Sequence, residues 1–212
     1  MKSFQEISLR DDCGGVALNK LMGFYELRAM QLPAIPWKEY RRDQKLDSNV
    51  LWTIRSAVFR GDDLNLPRKV GVTSDEATKF ADELCSKMKD KGMVIYYPYF
   101  VANKSGTLEV KSDKVIIEAV KNDLWNLVTF SKKDVTYQIS DGEIIIDGNA
   151  SFLQEKEKNE LLSYCNEIKR MFREEILEGK GILLEWSYAR SCGINGEPVG
   201  EEYLVFYEIR TV

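Results

Sequence analysis

Two strand-like runs near the C-terminus, Ile182–Ala189 and Tyr203–Val212, are separated by a polar, turn-rich segment, and this pattern predicts a β-hairpin. Successive residues of a strand alternate between its two faces, so the first run has an apolar face and a mixed face that carries Glu185. In the second run, alternation assigns Leu204, Phe206, Glu208 and Arg210 to one face and Tyr203, Val205, Tyr207 and Ile209 to the other. If the runs pair, the three charged side chains share a face and form either a surface ion cluster or a ligand site.

The composition is that of a chain with a substantial core, since 44% of its 212 residues are hydrophobic. This length favours one domain with two lobes over two independent domains. The net charge is −4 and no basic stripe is evident, so we expect neither nucleic acid nor an anionic membrane as a partner. No apolar run is long enough to span a bilayer, and the N-terminal residues lack the apolar core of a signal peptide. We therefore expect a cytoplasmic location.

Histidine is absent from the sequence, which excludes histidine bases and histidine metal ligands within this chain. Any enzymatic chemistry must then rest on carboxylates, lysine, arginine, tyrosine or a partner chain. The four cysteines are scattered without a C-x-x-C pair, so neither a zinc knuckle nor a redox motif is expected.

One arginine interrupts an otherwise apolar strand pattern. Residues 50–59 predict a strand, and Arg55 lies in its middle. Because arginine is rarely buried without a partner, two interpretations have equal weight: an internal salt bridge or contact with a bound anion. The pair Gly14 and Gly15 precedes a helical run, where free backbone N–H groups suit an anion, although a flexible turn explains the glycines as well.

The remaining pattern predicts an α+β chain. We expect a helix that is capped by Ser74 and ends near residue 91, then a strand over 93–101, a turn over 103–106 and a return strand over 107–110. Further strands are predicted over 114–119, 133–139 and 143–147, followed by a long helix over 153–178. The order of helices and strands indicates a mixed α+β, two-lobed chain with a C-terminal β-ribbon.

Several short motifs, taken in order, carry a resemblance to a known family. The C-terminal hairpin reads Leu-Leu-Glu-Trp-Ser over 183–187 and Tyr-Glu-Ile-Arg-Thr over 207–211. It is similar to the D-I-E-W-A and L-Q-A-R-P patterns that end the ATP-binding domain of the phosphoenolpyruvate synthase and pyruvate phosphate dikinase family. Other segments resemble the family's G-G-K, V-P, V-R-S-S-A and V-Q-x-M-V motifs, and these are Gly14-Gly15-Val16, Leu32-Pro33, Ile54-Arg55-Ser56-Ala57 and residues 96–106.

The resemblance implies an ATP-grasp type of fold, in which two α+β lobes close on a nucleotide. The single domain would cover 1–212, with one lobe formed by 1–72 plus 150–212 and the other by 73–149. Function would be the binding of Mg-ATP, with phosphoryl transfer to a histidine on a separate partner protein. By position, Arg55 and Arg210 would contact the phosphates, Glu185 would bind Mg²⁺, and Glu208 would either bind the metal or pair with Arg210. The other nucleotide-binding positions would be Gly14, Gly15, Lys20, Tyr96 and Tyr97.

Some positions depart from the family pattern. Val16 replaces the phosphate-binding lysine, for which Lys20 one turn later is a substitute, and Leu183 replaces an acid. Glu208 and Tyr97 each replace a glutamine. Since the loss of charged groups weakens transition-state stabilisation, these departures favour an alternative: a catalytically degenerate relative, or pseudoenzyme, that acts as a binding or regulatory protein.

Overall fold

The computed structural model describes residues 20–59, 66–124, 127 and 132–212, and over these residues the chain is α+β with two antiparallel sheets. The strands are β1 (Lys38–Glu39), β2 (Trp52–Val58), β3 (Arg68–Val72), β4 (Gly92–Pro98), β5 (Phe100–Val110), β6 (Lys114–Lys121), β7 (Val135–Ser140), β8 (Glu143–Gly148), β9 (Ile182–Cys192) and β10 (Pro198–Thr211). The helices are α1 (Lys20–Ala29), α2 (Ser74–Met88), α3 (Glu155–Ser163), α4 (Cys165–Met171) and α5 (Arg173–Leu177).

The smaller sheet has four strands in the order β1-β4-β2-β3. One face carries Trp52 and Ile54 and packs on helix α2, whose buried side is formed by alanine, leucine and methionine. The opposite face carries Ala57, Ile95 and Tyr97 and packs on strand β10 and helix α1. Both faces of β2 are therefore buried, and its burial extends to the polar residues Thr53, Arg55 and Ser56.

The larger sheet has six strands in the order β10-β9-β5-β6-β7-β8. Its apolar face carries Leu108, Ile117 and Trp186 and is covered by the three consecutive helices α3, α4 and α5. Burial of these large side chains is the main stabilising contribution of this layer. Its opposite face is more polar and, near β9 and β10, meets the smaller sheet.

The chain passes directly from one sheet to the other. Strand β4 ends at Pro98 and β5 begins at Phe100, so Tyr99 alone joins strands of different sheets. The predicted division into a lobe of 1–72 plus 150–212 and a lobe of 73–149 stays a prediction. In the part of the chain that the structure describes, no helix is both long and apolar enough to cross a membrane, and α2, the longest, has 15 residues.

Most predicted elements are confirmed, including the C-terminal hairpin, but several local predictions are wrong. The single helix predicted over 153–178 is three consecutive helices, α3, α4 and α5, and the backbone of Phe172, between the last two, departs from helical geometry. The single strand predicted over 93–101 is divided at Tyr99 between β4 and β5, which belong to different sheets. Helix α2 is capped by Thr73 rather than Ser74, because the Thr73 side chain accepts the backbone N–H of Glu76 and Glu76 completes a capping box. Residues 103–106 are not a turn, since β5 is continuous from Phe100 to Val110 and pairs with strands on both sides. Their polar composition is accommodated by a register shift opposite β9 between Ala102 and Lys104.

Candidate functional site

A buried ion pair joins the two sheets. The guanidinium Nη2 of Arg55, on β2, lies 2.9 Å from Oε2 of Glu208, on β10, although the residues are 153 positions apart in the sequence. Arg55 is only 8% exposed and Glu208 4% exposed. Of the two interpretations of Arg55, the salt bridge is therefore present in the structure. The contact is charge-assisted and is shielded from solvent.

A β-bulge directs Glu208 toward Arg55. Phe206 is opposite Trp186 and Glu208 is opposite Glu185, so Tyr207 is the extra residue on β10. The bulge shifts the alternation by one position, and Ile209 returns to the same core cluster as Phe206. The predicted faces of the second run are therefore wrong after Phe206, because simple alternation does not allow for an inserted residue.

Two carboxylates are directly opposite each other as a consequence of this bulge. Glu185 and Glu208 are cross-strand partners on β9 and β10, an arrangement that is destabilising unless a cation lies nearby. Arg55 supplies positive charge on the buried side of the pair. On the outer side, Nη1 of Arg210 lies 3.7 Å from Oε1 of Glu208, and the Arg210 side chain is 35% exposed. The charges thus extend from the interface between the sheets toward solvent.

Two tyrosines enclose this charged group, which we name the junction cluster: Arg55, Glu185, Glu208, Arg210, Tyr97 and Tyr207. Burial raises the pKa of Tyr97, while the positive charge of neighbouring Arg55 offsets part of that increase. Burial also raises the pKa of Tyr207 well above its usual value, and the negative charge of Glu185 acts in the same direction. Both phenols therefore remain neutral at physiological pH.

The acids around Arg55 hold its guanidinium in the charged form. Burial by itself lowers the pKa of Arg55, but Tyr97, Glu208 and Glu185 together raise it above the ordinary arginine value. The ring of Phe24, on helix α1, lies beneath the guanidinium, with its centroid 5.5 Å from Cζ. Arg55 is thus a permanent buried cation between the sheets.

A short polar ladder continues from the junction cluster across the larger sheet. The hydroxyl oxygens of Ser105 and Ser187 are 2.8 Å apart, and Ser105 donates to the backbone carbonyl of Asn122 at 2.6 Å. Both serines are buried, and Tyr207 also lies beside Ser187. These hydrogen bonds satisfy polar groups that would otherwise be costly to bury, and they fix β9 beside β5 at this point.

The predicted site residues are brought together only in part. Arg55, Glu185, Glu208, Arg210 and Tyr97 meet in the junction cluster. Tyr96 lies on the other face of β4, in the core beneath α2, where it packs against Trp52 and Tyr40. Lys20 is the first residue of α1, and its side chain lies outside the described part, as do Gly14 and Gly15.

Sequence reasoning missed Tyr207, Ser187 and Ser105 as members of this polar region. A usable signal for the bulge exists, because Leu204, Phe206 and Ile209 are separated by two and then three positions. That change in spacing marks an inserted residue and places Tyr207 beside Glu208 on the junction face. The serines gave no comparable signal.

The carboxylate pair suits one hard cation only in combination with other ligands. Within the described residues, no group of three acidic or cysteine side chains converges as a metal site, so Glu185 and Glu208 are a pair. Mg²⁺ is commonly bound by one or two carboxylates together with water and substrate phosphates. The residues present therefore fit Mg²⁺ carried by a nucleotide better than a stand-alone metal site.

The fold and this cluster define the class of the protein as a two-sheet α+β protein with a charged junction between the sheets. A scan of protein-family models finds no match to the sequence. A search of curated proteins likewise finds no relative.

Proposed function

We propose that this protein is a Mg-ATP-binding module of the ATP-grasp type, with the nucleotide phosphates bound at the junction cluster. One observation carries the proposal. Arg55, Glu185, Glu208 and Arg210, which the family resemblance selects from separate parts of the sequence, converge on one point between the sheets. Three of the four lie on the β9–β10 hairpin, whose pairing alone brings them together, so the support comes from Arg55, which reaches this hairpin from β2.

The exposure of each side chain suggests its role. Arg210 is the most accessible cation of the cluster, and its planar fork suits a terminal phosphate. Glu185 is opposite Glu208 and is half-buried, so it is the carboxylate that a Mg²⁺ ion approaches from solvent. Arg55 forms an ion pair with Glu208 on the buried side of the cluster and supplies positive charge to the site. When bound, Mg²⁺ would neutralise phosphate charge.

The aromatic side chains beside the junction suit a nucleotide base. Phe100 and Tyr99 stack with ring centroids 6.5 Å apart, and Phe100 also contacts Tyr207 at 6.0 Å. Tyr99 and Phe100 lie where β4 passes into β5, shortly after Tyr96 and Tyr97, which are the positions that the family resemblance assigns to adenine. We propose that the base binds against this aromatic group, which has the flat apolar surfaces that stacking requires.

Phosphoryl transfer would need a second protein, because this chain has no histidine to accept a phosphoryl group. We propose that an active form donates to a histidine of a separate partner. Incubation with γ-labelled ATP and a histidine-bearing swivelling domain would then label that domain and leave this chain unlabelled.

Isothermal titration calorimetry with Mg-ATP tests the binding proposal. We expect the unaltered protein to bind, and Glu185→Gln to weaken binding by at least about tenfold through loss of a charged ligand. Glu109→Gln is the matched control, because Glu109, on β5, lies on the same face of the larger sheet as Glu185 and is paired with Lys111 rather than with the junction cluster. Absence of binding at millimolar nucleotide would refute the proposal.

A second candidate function is a non-catalytic binding or regulatory module, and one contact favours it. Glu208, which stands where the family has glutamine, occupies the guanidinium of Arg55 and neutralises its charge. If the junction cluster is only structural, Glu208→Gln destabilises the fold and gives no affinity for nucleotide. If it is a nucleotide site, the same substitution releases Arg55 for phosphate and raises the affinity for Mg-ATP.

A further inference from the structure

Strand β8 forms one edge of the six-stranded sheet and is apolar along its centre. Among the described residues it pairs with β7 alone. Every residue of β8 is exposed, including Ile144 (56%), Ile145 (63%) and Ile146 (42%). Natural proteins usually protect such an edge, because its unpaired backbone groups are a template for another strand.

The backbone groups that face outward on β8 can be identified from the register. The N–H of Asn149 donates to the carbonyl of Asp134, so residue 149 points toward β7. Hydrogen-bonding direction alternates along an antiparallel strand. Ile144 and Ile146 therefore direct their N–H and C=O groups away from the sheet, where an added strand would meet them.

The opposite edge of the same sheet is treated differently. There, the N–H of Phe206 donates to the carbonyl of Pro33, and the N–H of Ile35 donates to the carbonyl of Phe206. The segment before β1 thus covers part of the β10 edge. The β10 edge is partly covered, whereas the β8 edge is apolar and exposed. This difference favours β8 as the edge at which another strand can bind.

A small acidic cavity lies beside this edge. It has a volume of about 300 Å³ and is lined by Gln138, Ser140, Asp141, Glu143 and Ile145. Neither carboxylate of the lining makes an ion pair with another described residue, whereas Asp147, farther along β8, lies 3.8 Å from Lys133. The cavity therefore has the charge and hydrogen-bonding groups to receive an arginine or lysine side chain.

The same charges disfavour a second copy of this chain as the occupant. If β8 pairs antiparallel with itself in the register that aligns its three isoleucines, Glu143 of each copy is opposite Asp147 of the other. Like charges directly opposite each other in a sheet are destabilising. A strand with basic residues has the complementary charge.

We propose that β8 is a docking edge for an extended segment of a partner protein, which adds as a seventh strand and places a basic side chain in the acidic cavity. Main-chain hydrogen bonds to Ile144 and Ile146 would supply affinity, and the cavity would supply specificity. This surface lies at the opposite edge of the larger sheet from β10, which carries part of the junction cluster, and four strands separate β8 from β10.

Fluorescence anisotropy with a labelled, amidated peptide, Gly-Arg-Val-Thr-Val-Thr-Val-Gly, tests the proposal. We expect binding at least about tenfold tighter than for the same peptide with glutamate in place of arginine. The double substitution Asp141→Asn and Glu143→Lys should reverse that preference. Asparagine keeps the left-handed backbone of residue 141, whose φ is 51°, and both positions are exposed, so circular dichroism should show an unchanged fold.

Peptides methylated on alternate backbone amides distinguish strand addition, which needs main-chain hydrogen bonds, from binding through side chains alone. Methylating the amides that face β8 should abolish binding, whereas methylating the other set should leave it intact. Equal binding of both methylated peptides, or equal affinity for the arginine and glutamate peptides, would overturn the proposal. Sedimentation velocity without peptide tests for a second copy as the occupant. A concentration-dependent dimer that is abolished by substitutions in β8 would also overturn the proposal.

Discussion

Removal of either partner of the Arg55–Glu208 pair should destabilise the protein strongly, while removal of both should not. Each residue is less than 9% exposed, and the two charged atoms are 2.9 Å apart. We consider Arg55→Met, Glu208→Leu and the double variant, because methionine and leucine keep much of the side-chain volume without charge. A single substitution leaves a charge buried between the sheets with its main partner gone.

The expected loss in the free energy of unfolding follows from the burial of the pair and the distance between its charged atoms. At an effective dielectric constant of about 20, two unit charges 2.9 Å apart attract by roughly 6 kcal/mol, and desolvation offsets much of that. Breaking one side of a buried pair typically costs about 3–5 kcal/mol, whereas replacing both by apolar groups is often close to neutral. Arg210 and Glu185 remain as secondary partners, so we expect about 3 kcal/mol for each single variant and a coupling energy of at least about 2 kcal/mol.

Urea unfolding followed by tryptophan fluorescence measures these free energies. For a chain of this length, about 3 kcal/mol corresponds to a fall in Tm of roughly 6–12 °C, which differential scanning calorimetry resolves. Reversal of Glu109 and Lys111, a partly exposed pair on β5, is the control and should change stability by less than about 1 kcal/mol. If the two single variants are additive in the double variant, the pair does not join the sheets in the way described.

Three further predictions concern the surrounding fold. Thr73→Ala removes the capping interaction with Glu76 and should lower the free energy of unfolding by about 1 kcal/mol in urea titrations. Gly106→Ala should destabilise by several kcal/mol, about as much as overpacking in a core does, because the new methyl group would overlap a backbone carbonyl of β6. Burial and a hydrogen bond to Asp82 raise the pKa of Tyr40 to about 12, so its neutral form stabilises the fold below pH 10 and that contribution is lost as pH rises through 12. Tyr40→Phe should therefore show a smaller fall in Tm between pH 10 and 12, and an unchanged fall would contradict this assignment.

The sequence predicts the strands well where local pattern and long-range pairing agree. The hairpin of β9 and β10 is predicted by two amphipathic runs. Arg55 in a strand pattern indicates either an internal salt bridge or a bound anion with equal weight, and the structure contains the salt bridge. Its partner, Glu208, was not identified, because pairing between β2 and β10 depends on how the sheets pack rather than on local pattern.

Local sequence pattern gives the wrong structure at residues 103–106 and at the bulge of Tyr207, and each error has a physical reason. Residues 103–106 have the composition of a turn, but pairing with β6 and β9 on both sides keeps them extended. At Tyr207, one inserted residue reverses the faces of the remaining strand, which a rule of strict alternation misses. The candidate site depends on that bulge, since it brings Glu208 opposite Glu185 and toward Arg55.

Paramagnetic NMR with Mn-ATP tests the central proposal most directly, because Mn²⁺ replaces Mg²⁺ and broadens nearby resonances. We predict selective broadening of backbone amides at Arg55, Glu185, Glu208 and Arg210, which is lost on adding excess Mg-ATP. Amides of strand β8 should remain sharp and serve as the internal control. Millimolar Mn-ATP that leaves the junction cluster unbroadened, or broadens another surface instead, would contradict nucleotide binding at this site.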